Sequence, residues 1–419
     1  MQLVLKQTIR EIKNSRSVKF GIYYKKECVV KIFYSQHEYR RELKGILLLK
    51  SNNIKTPSIL FNGLYRNKWY IILERIKNAQ TLDDFFKSDN TPKLKNKVAL
   101  NLIKLYQEIS KSNIVQIDNY LKNYLIDSQN NIFVIDGGLI KKVFKYSFIK
   151  KIKYQSLLFS KLNFEQFTYC VENYEYKNNI IFIYFYNFFK FQEIIKYKKK
   201  CLRNSSDFKV YKNNFFKLIQ NKKYNFDLNL LENINSLKIL KDGHTCTVFQ
   251  YNDLVIKRYN IKNFRHFLKL QLFKSRAIRS WQSSNVFKLL NIRTPEPVCV
   301  IQKKWFFFNA ESFFVSKHIR SIDIIHYLDE SNQSGTRFVY KQLNYFIRLL
   351  CFHKIYHSDL KFSNILIEKK SSLLNIIDLD AIKFFRFNFI FKFFHKKDLK
   401  RLSVNFQKKI IHKYKLGAW

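Results

Sequence analysis

Residues 357–380 read HSDLKFSNILIEKKSSLLNIIDLD, and this stretch decides the fold prediction. Asp359 stands five positions before Asn364, and two apolar runs follow, the second of which ends at Asp378. Transfer of a phosphoryl group from ATP uses one carboxylate to orient or deprotonate the acceptor hydroxyl, and an amide and a second carboxylate to hold the metal ions on the phosphates. An Asp and an Asn at this spacing arise easily by chance, but His357 before them and a strand ending in Asp after them make the pattern specific. The pattern therefore predicts that Asp359 is catalytic and that Asn364 and Asp378 bind Mg²⁺.

The same arrangement occurs earlier in the chain, where residues 113–138 read NIVQIDNYLKNYLIDSQNNIFVIDGG. Asp118 precedes Asn123 by five positions, and Asp136 ends the second apolar run. We therefore expect a second competent site, with Asp118 catalytic and with Asn123 and Asp136 on the metal. The first copy departs from the second at three places, none of which removes a residue of the set: Gln116 for His357, Asn119 and Tyr120 for Leu360 and Lys361, and Gly137 and Gly138 for Leu379 and Asp380.

Two further landmarks precede this set in both copies. The segment VVKIF around Lys31 matches VIKRY around Lys257, and NIKTP at 53–57 matches NIRTP at 291–295. A lysine on a strand at this point of the chain can reach the α- and β-phosphates of ATP, so both lysines are predicted to bind ATP. Matching landmarks in the same order indicate a tandem duplication.

The phosphate loop and the helix after the strand lysine differ between the copies. In the second copy, KDGHTCTVF takes the place of a glycine-rich loop, and Gly243 alone can bring the backbone close to ATP. The helix that follows carries Ser280 where the first copy carries Glu42. Glu42 is therefore the predicted partner of Lys31, whereas Lys257 has another partner or none.

The composition limits the classes of protein and partner. The chain of 419 residues is 47% hydrophobic and 17% aromatic, which excludes a disordered chain and suits two domains. Lys and Arg number 77 against 31 Asp and Glu, and the net charge of +46 favours nucleic acid, an acidic membrane surface or a phosphorylated sugar as partner. The bias of an AT-rich genome accounts for part of this excess. The six cysteines stand singly, so neither zinc nor a disulfide framework is predicted, and a reducing cytosol fits.

The apolar segments predict a cytoplasmic location. The start, MQLVLKQTIREIKNSR, lacks an apolar core of signal-peptide length. The most apolar run, residues 180–189, is about half of the ~20 residues that a membrane span needs. Segments 141–162 and 383–402 interleave aromatic and basic residues, and two interpretations stay open: a core-facing helix with solvated lysines, or a surface that lies on anionic lipid.

A resemblance to a known family rests on three runs of the second copy: DGHTCTVFQYNDLVIKRYN, residues 275–298 with their SRA, Trp and TPEP, and HSDLKFSNIL with IDLD. These runs resemble the bacterial lipopolysaccharide core kinases, the heptose and Kdo kinases of the protein-kinase-like superfamily. The first copy's IDNYLKNYLID with IDGG is similar to a loop in tandem-domain members. The resemblance covers about residues 20–140 and 235–400. It implies ATP, Mg²⁺ and a sugar hydroxyl on a lipid-anchored core oligosaccharide at the cytoplasmic face of the inner membrane, where the protein is peripheral.

Together these observations predict an α+β fold of two tandem protein-kinase-like domains, each with a small antiparallel sheet, one helix beside it and a mainly helical second lobe. The domains are expected at 1–232, with a helical tail from about 141, and at 233–419. Strands before the hinge are predicted at 69–76 and 305–315, and helices before the catalytic loop at 94–112 and 342–356.

Two other functions stay open: a protein or small-molecule kinase of the same fold, and a catalytically dead scaffold that binds anionic partners. Nucleic acid is not expected, because no recognisable nucleic-acid motif occurs. The oligomeric state and the modified sugar stay open.

Overall fold

The structure is a computed structural model, and it describes residues 2–12, 14–143, 147–173, 179–261, 263, 267–268, 271–305 and 308–406. Helices and sheets are mixed, and the chain divides into two compact units, Met1–Phe189 and Lys190–Trp419. Within the described ranges, no helix is long and apolar enough to cross a membrane.

The first unit opens with a five-stranded antiparallel sheet, and a mainly helical part follows. Its strands are β1 (Leu3–Ile12), β2 (Arg16–Tyr23), β3 (Lys26–Phe33), β4 (Ile59–Tyr65), β5 (Lys68–Glu74), β6 (Gln80–Thr81), β7 (Ile114–Gln116), β8 (Tyr124–Ile126), β9 (Ile132–Val134) and β10 (Ile140–Lys142). The helices are α1 (Gln36–Ser51), α2 (Leu82–Lys87), α3 (Pro92–Lys111), α4 (Phe148–Phe159), α5 (Phe164–Glu172) and α6 (Ile180–Lys200), the last of which crosses the division between the units. The large sheet has the order β1-β2-β3-β5-β4, and the small sheets are β6-β8-β9 and β10-β7.

Strand alternation decides which face of the first sheet carries Lys31. On β3, Val30 and Ile32 pack into one cluster on one face, whereas Phe33 packs on the other face with Ile46 of α1. Successive side chains of a strand point to opposite faces. Lys31 therefore lies on the face that α1 covers.

The second unit has the same order of elements after its own large sheet. Its strands are β11 (Phe208–Lys212), β12 (Phe216–Asn221), β13 (Lys238–Lys241), β14 (Cys246–Tyr251), β15 (Leu254–Tyr259), β16 (Pro297–Trp305), β17 (Phe308–Lys317), β18 (Ser321–Asp323), β19 (Ile355–Tyr356), β20 (Ile365–Glu368), β21 (Leu374–Ile376) and β22 (Lys383–Phe384). The helices are α7 (Arg276–Leu289), α8 (Ile324–Glu330), α9 (Gln333–His353) and α10 (Asn388–Phe406). The large sheet has the order β11-β12-β16-β17-β15-β14-β13, and the small sheets β18-β20-β21 and β19-β22 correspond to those of the first unit.

The division between the units falls earlier in the chain than the predicted boundary at 232/233. β12 pairs antiparallel with β16, so the β11–β12 hairpin forms one edge of the second unit's large sheet. Nε1 of Trp281 in α7 donates to the backbone O of Cys201 at 2.9 Å. Residues 190–232, which the sequence analysis gave to the N-terminal domain as part of its tail, therefore lie in the second unit.

The element predictions agree with the structure to within a few residues in three of the four cases. The strands predicted at 69–76 and 305–315 are β5 and β17, and the helix predicted at 94–112 is α3. The helix predicted at 342–356 begins much earlier, at Gln333. The side chain of Asn332 accepts a hydrogen bond from the Gly335 amide there, and such a cap stabilises a helix start.

Candidate active site

The predicted catalytic loop of the second unit is closed by its own asparagine. A short 3-10 turn, Phe362–Asn364, follows Asp359 and turns the chain back toward it. Nδ2 of Asn364 donates to the backbone O of Asp359 at 2.8 Å and to its Oδ2 at 3.1 Å. The Asp359 side chain is 41% exposed, and Nζ of Lys361 lies 2.9 Å from its Oδ2. The structure thus presents the Asp359 carboxylate to solvent in a fixed position, beside a lysine that the sequence analysis did not assign.

Asp378 lies next to this loop because strands β20 and β21 pair. The amide of Ile377 donates to the backbone O of Asn364 at 3.0 Å, directly before Asp378. Asp378 has a φ of 62°, a left-handed conformation that a non-glycine residue seldom adopts and that marks many functional turns. The turn therefore holds the Asp378 side chain beside Asn364.

Lys257 finds its partner in Asp378. Nζ of Lys257 lies 2.6 Å from Oδ1 of Asp378, and it lies 5.2 Å from the ring centroid of Tyr259. Burial disfavours the charged form of both side chains. The attraction to neighbouring groups is stronger than this effect of burial. Tyr259 and Asp378 raise the pKa of Lys257, and Lys257 holds the pKa of Asp378 below its ordinary value. Ser280, by contrast, bonds to the Tyr259 hydroxyl at 2.7 Å.

In the first unit, the carboxylate that pairs with the strand lysine lies on α1. The buried side chain of Glu42 forms an ion pair with Lys31, and Nζ of Lys31 also donates to the backbone O of Ile135 at 2.7 Å. The Gly137 amide donates to Oε1 of Glu42 at 3.2 Å. The ion pair therefore contacts the residues on both sides of Asp136, Lys31 through Ile135 and Glu42 through Gly137.

The first unit also brings its own loop residues together. Nδ2 of Asn123 donates to the backbone O of Asp118 at 3.0 Å, and the amide of Gly138 donates to Oδ1 of Asp136 at 3.0 Å. Burial, and then the charge of Asp136, raise the pKa of Asp118. Burial opposes ionisation of Asp136, but Lys31 and Arg16 outweigh it and hold the pKa of Asp136 below its ordinary value.

Two departures of the first copy form a buried network. The hydroxyl of Tyr124 donates to Oε1 of Gln116 at 2.8 Å and lies 3.2 Å from Oδ1 of Asn119. Nδ2 of Asn119 donates to the backbone O of Tyr154 on α4 at 3.2 Å. Because buried polar groups need partners, these amides brace the loop that carries Asp118.

The glycines of the first copy allow a close backbone contact. A Cβ on Gly45 of α1 would lie 1.9 Å from the backbone O of Gly137, and one on Gly137 would lie 2.4 Å from the backbone O of Glu42. No larger residue fits at either position without moving the backbone. This contact sets the helix directly against the turn after Asp136.

Gly243 lies in a loop whose ends are joined by hydrogen bonds. The Cys246 amide donates to O of Gly243 at 3.0 Å, and Nδ2 of Asn260 donates to the same oxygen at 3.3 Å. The structure therefore places Gly243 in the loop between β13 and β14, two strands of the large sheet that also contains Lys257.

Sequence reasoning missed one group that holds the second loop, the carboxylate of Asp398. Oδ2 of Asp398, on α10, accepts from the amides of His357 at 2.7 Å and Ser358 at 3.4 Å. Asp398 is the single acidic residue in the basic segment 383–402, which is the signal that could have revealed it. His357 is fully buried, and burial lowers its pKa from 6.5 to about 4.

The oxygen donors of the second unit suit Mg²⁺. Among the described residues, no group of three or more His, Cys, Asp or Glu side chains forms a metal cage. Mg²⁺ keeps several waters and takes one or two carboxylates together with substrate phosphates, so it needs no such cage. The side-chain nitrogen Nδ2 of Asn364 donates to Asp359. The side-chain oxygen of Asn364 is therefore the atom that can bind a metal ion beside Asp378.

Comparisons with known proteins found similarity among solved structures. No protein-family model and no curated protein matches the chain. Among solved structures, the chain is similar to the kinase PK-1 of Cydia pomonella granulovirus, with 23% sequence identity and a TM-score of 0.30. The match covers 36% of this chain and 63% of the granulovirus chain.

Proposed function

We propose that this chain is a phosphotransferase of the protein-kinase-like type, which moves the γ-phosphoryl group of ATP to an alcohol. One assembly in the second unit carries the proposal. Asp359 and Asn364 share one loop, Asp378 and Lys257 form an ion pair, and the bond from the Ile377 amide to Asn364 joins the two pairs. Phosphoryl transfer needs this set of groups in this arrangement.

Each side chain of this set has one task. The Asp359 carboxylate accepts the proton of the acceptor hydroxyl as the new bond to phosphorus forms. Lys257 binds the phosphates that leave with ADP. Asn364 and Asp378 would hold Mg²⁺, which would neutralise charge on the phosphates. The positive charge of Lys361 near Asp359 favours approach of the transferred group.

The first test is turnover of ATP with purified core oligosaccharide. General-base assistance is typically worth ~10²–10⁴ in rate, so in a chain whose first unit is silenced by Asp118→Asn, Asp359→Asn should lose about that factor while ATP still binds. Asp253→Asn is a matched control, because Asp253 is exposed and forms an ion pair with Lys317 at the surface. Full activity of Asp359→Asn would refute the assignment.

The proposed acceptor is a sugar hydroxyl, heptose or Kdo, of the lipopolysaccharide inner core. Support for it comes from the resemblance of residues 275–298 and of the two loops to the core kinases. Parallel assays with a mixed protein substrate and with free sugars distinguish this acceptor from those of the alternative kinases. A scaffold without activity would consume ATP in none of them.

We further propose that each unit has its own site. Each has a strand lysine, a loop Asp and Asn, and a final Asp, and each set is held by contacts within its unit. Catalytic groups must be held to fractions of an ångström, which contacts inside one unit supply. Asp118→Asn and Asp359→Asn should therefore remove different phosphates from the core, as measured by mass spectrometry. An unchanged phosphate pattern in Asp118→Asn would refute a site in the first unit.

We also propose that the protein works in the cytoplasm and binds the anionic surface of the inner membrane. Support comes from α10, where Phe389 is 73% and Phe393 is 63% exposed and where Nζ of Lys397 lies 5.2 Å from the Phe393 ring centroid. The same helix also carries exposed lysine side chains. Aromatic and basic side chains together suit the interface of an anionic bilayer, and each near-surface Lys contributes about 1 kcal/mol.

Vesicle pelleting tests this surface. The protein should pellet with anionic vesicles at low salt and leave them at high salt, because salt screens surface charge. Replacing Lys392, Lys396 and Lys397 with Gln should weaken pelleting. A matched control removes three exposed lysines of α3: Lys93, Lys97 and Lys104. Equal binding by both triple variants would show that α10 is not the binding surface.

A further inference from the structure

The first turn of α7 is joined to the turn after Asp378. Nε of Arg276 lies 2.5 Å from Oδ2 of Asp380, whose side chain is only 7% exposed. Asp380 belongs to the 3-10 turn Leu379–Ala381, which begins directly after Asp378. Charge-assisted bonds to a buried carboxylate are strong and directional. This ion pair therefore fixes the turn that carries the predicted metal ligand to the helix.

The same arginine belongs to a cluster around Tyr259. Its guanidinium carbon lies 5.0 Å from the Tyr259 ring centroid, and Nζ of Lys257 lies 5.2 Å from the same centroid. The Tyr259 hydroxyl bonds to Ser280, one turn after Arg276 on α7. The helix therefore contacts both the strand of Lys257, through Tyr259, and the turn of Asp378, through Asp380.

The first unit joins its helix to the turn in a different way, through Glu42 and the backbone amide of Gly137. There the helix carries the acid, Glu42, and the turn carries Gly138 at the position of Asp380. A Cβ on Gly138 would lie 2.9 Å from Oε2 of Glu42, so an acidic side chain at that position would meet the helix carboxylate. In the second unit the helix carries a cation and the turn an acid. Each unit therefore joins this helix to the turn after its final Asp, the first through Glu42 and the second through Arg276.

We propose that Arg276, acting through Asp380, positions Asp378 for binding of metal-bound nucleotide, and so takes in the second unit the place that Glu42 has in the first. The inference rests on the proposed function, because it requires that ATP and a metal bind at Lys257 and Asp378. Arg276 is a positioning residue, since its effect passes through Asp380. Its loss should weaken nucleotide binding only when the metal is present.

Calorimetric titration with a non-hydrolysable ATP analogue tests this, in the full chain with Asp136→Asn to silence the first unit. Loss of a group that orients a metal ligand typically costs 10–100-fold in metal affinity. Arg276→Gln and Asp380→Asn should therefore each raise the Kd at least about tenfold with Mg²⁺ and leave the Kd in EDTA unchanged. Exchanging the charges, as Arg276→Asp with Asp380→Arg, should restore part of the loss.

Lys288→Gln is the matched control, since Lys288 lies on the same helix and pairs with Glu296 at its other end. It should change neither Kd. Asp380→Asn alone carries the test if Arg276→Gln does not fold. Arg276→Lys, which keeps the charge, should retain more of the Mg²⁺-dependent binding than Arg276→Gln. An equal loss with and without Mg²⁺, or no loss, overturns the inference while the proposed function stands. If the parent protein binds the analogue in neither condition, the proposed function fails and the inference falls with it.

Discussion

Replacing His357 with Gln should change how the stability of the second unit depends on pH. His357 is fully buried, and burial lowers its pKa from 6.5 to about 4. The first unit carries Gln116, an uncharged amide of similar size, at the same position. Because the folded pKa is the lower one, the unfolded chain takes up the proton first. Stability is therefore lost as the pH falls below 6.5 toward 4.

The size of this effect follows from the shift in pKa. One pKa unit corresponds to about 1.4 kcal/mol, so a change from 6.5 to about 4 amounts to about 3 kcal/mol when complete. About 2 kcal/mol of it should already be lost between pH 7 and pH 5. His357→Gln removes this titration, so its free energy of unfolding should fall less than that of the parent protein, by about 2 kcal/mol over the same range.

Urea unfolding at pH 7 and pH 5 measures the difference. Fluorescence of the buried Trp281 reports on the second unit when the other tryptophans, Trp69, Trp305 and Trp419, are replaced by Phe. Val339→Ala is a control of the same helical core without a titrating group, and it should lower stability equally at both pH values. If His357→Gln and the parent lose the same stability between pH 7 and pH 5, burial of His357 does not govern the pH dependence.

Three further substitutions test contacts described above. Gly137→Ala places a Cβ 2.4 Å from a backbone oxygen of α1, so thermal unfolding should show a loss of about 1–3 kcal/mol, and an unchanged melting temperature would contradict the close contact. Asp398→Asn removes the negative charge of the carboxylate that accepts hydrogen bonds from two loop amides. It should lower ATP turnover more than ATP binding. Equal effects on both would argue against a role in holding the loop. Tyr124→Phe leaves two buried amides short of a partner and should cost about 1–3 kcal/mol by chemical unfolding, whereas a neutral result would show that the network is not needed.

Local pattern was sufficient to predict the elements around each candidate site. The spacing of Asp359, Asn364 and Asp378 with apolar runs between them predicted β20 and β21, and the structure has both strands. The pairing of Lys31 with Glu42 followed from one strand and the helix directly after it. These relations join residues that are close in sequence. At that range, hydrophobic periodicity and the order of residues indicate the secondary structure.

Contacts between distant residues could not be predicted in the same way. Arg276 and Asp380, or Asp398 and His357, meet only after the unit has folded, and neither pair lies within a shared motif. The β11–β12 hairpin was missed because its partner, β16, lies much later in the chain. Its Asn213-Asn214 turn between two apolar runs was the available signal.

The path of α6 has a consequence for anyone who separates the two halves. Its first turns belong to the first unit, where the Ser156 hydroxyl donates to O of Phe182 at 3.2 Å. Its last turns belong to the second, where Nε2 of Gln282 donates to O of Lys198 at 2.7 Å. A cut at 232/233 would remove β12, the strand that pairs with β16. The sheet would then end in unpaired backbone hydrogen-bonding groups, which promote aggregation. A cut inside the helix would divide an element that each half needs, so a gene expressing either half alone must encode all of α6.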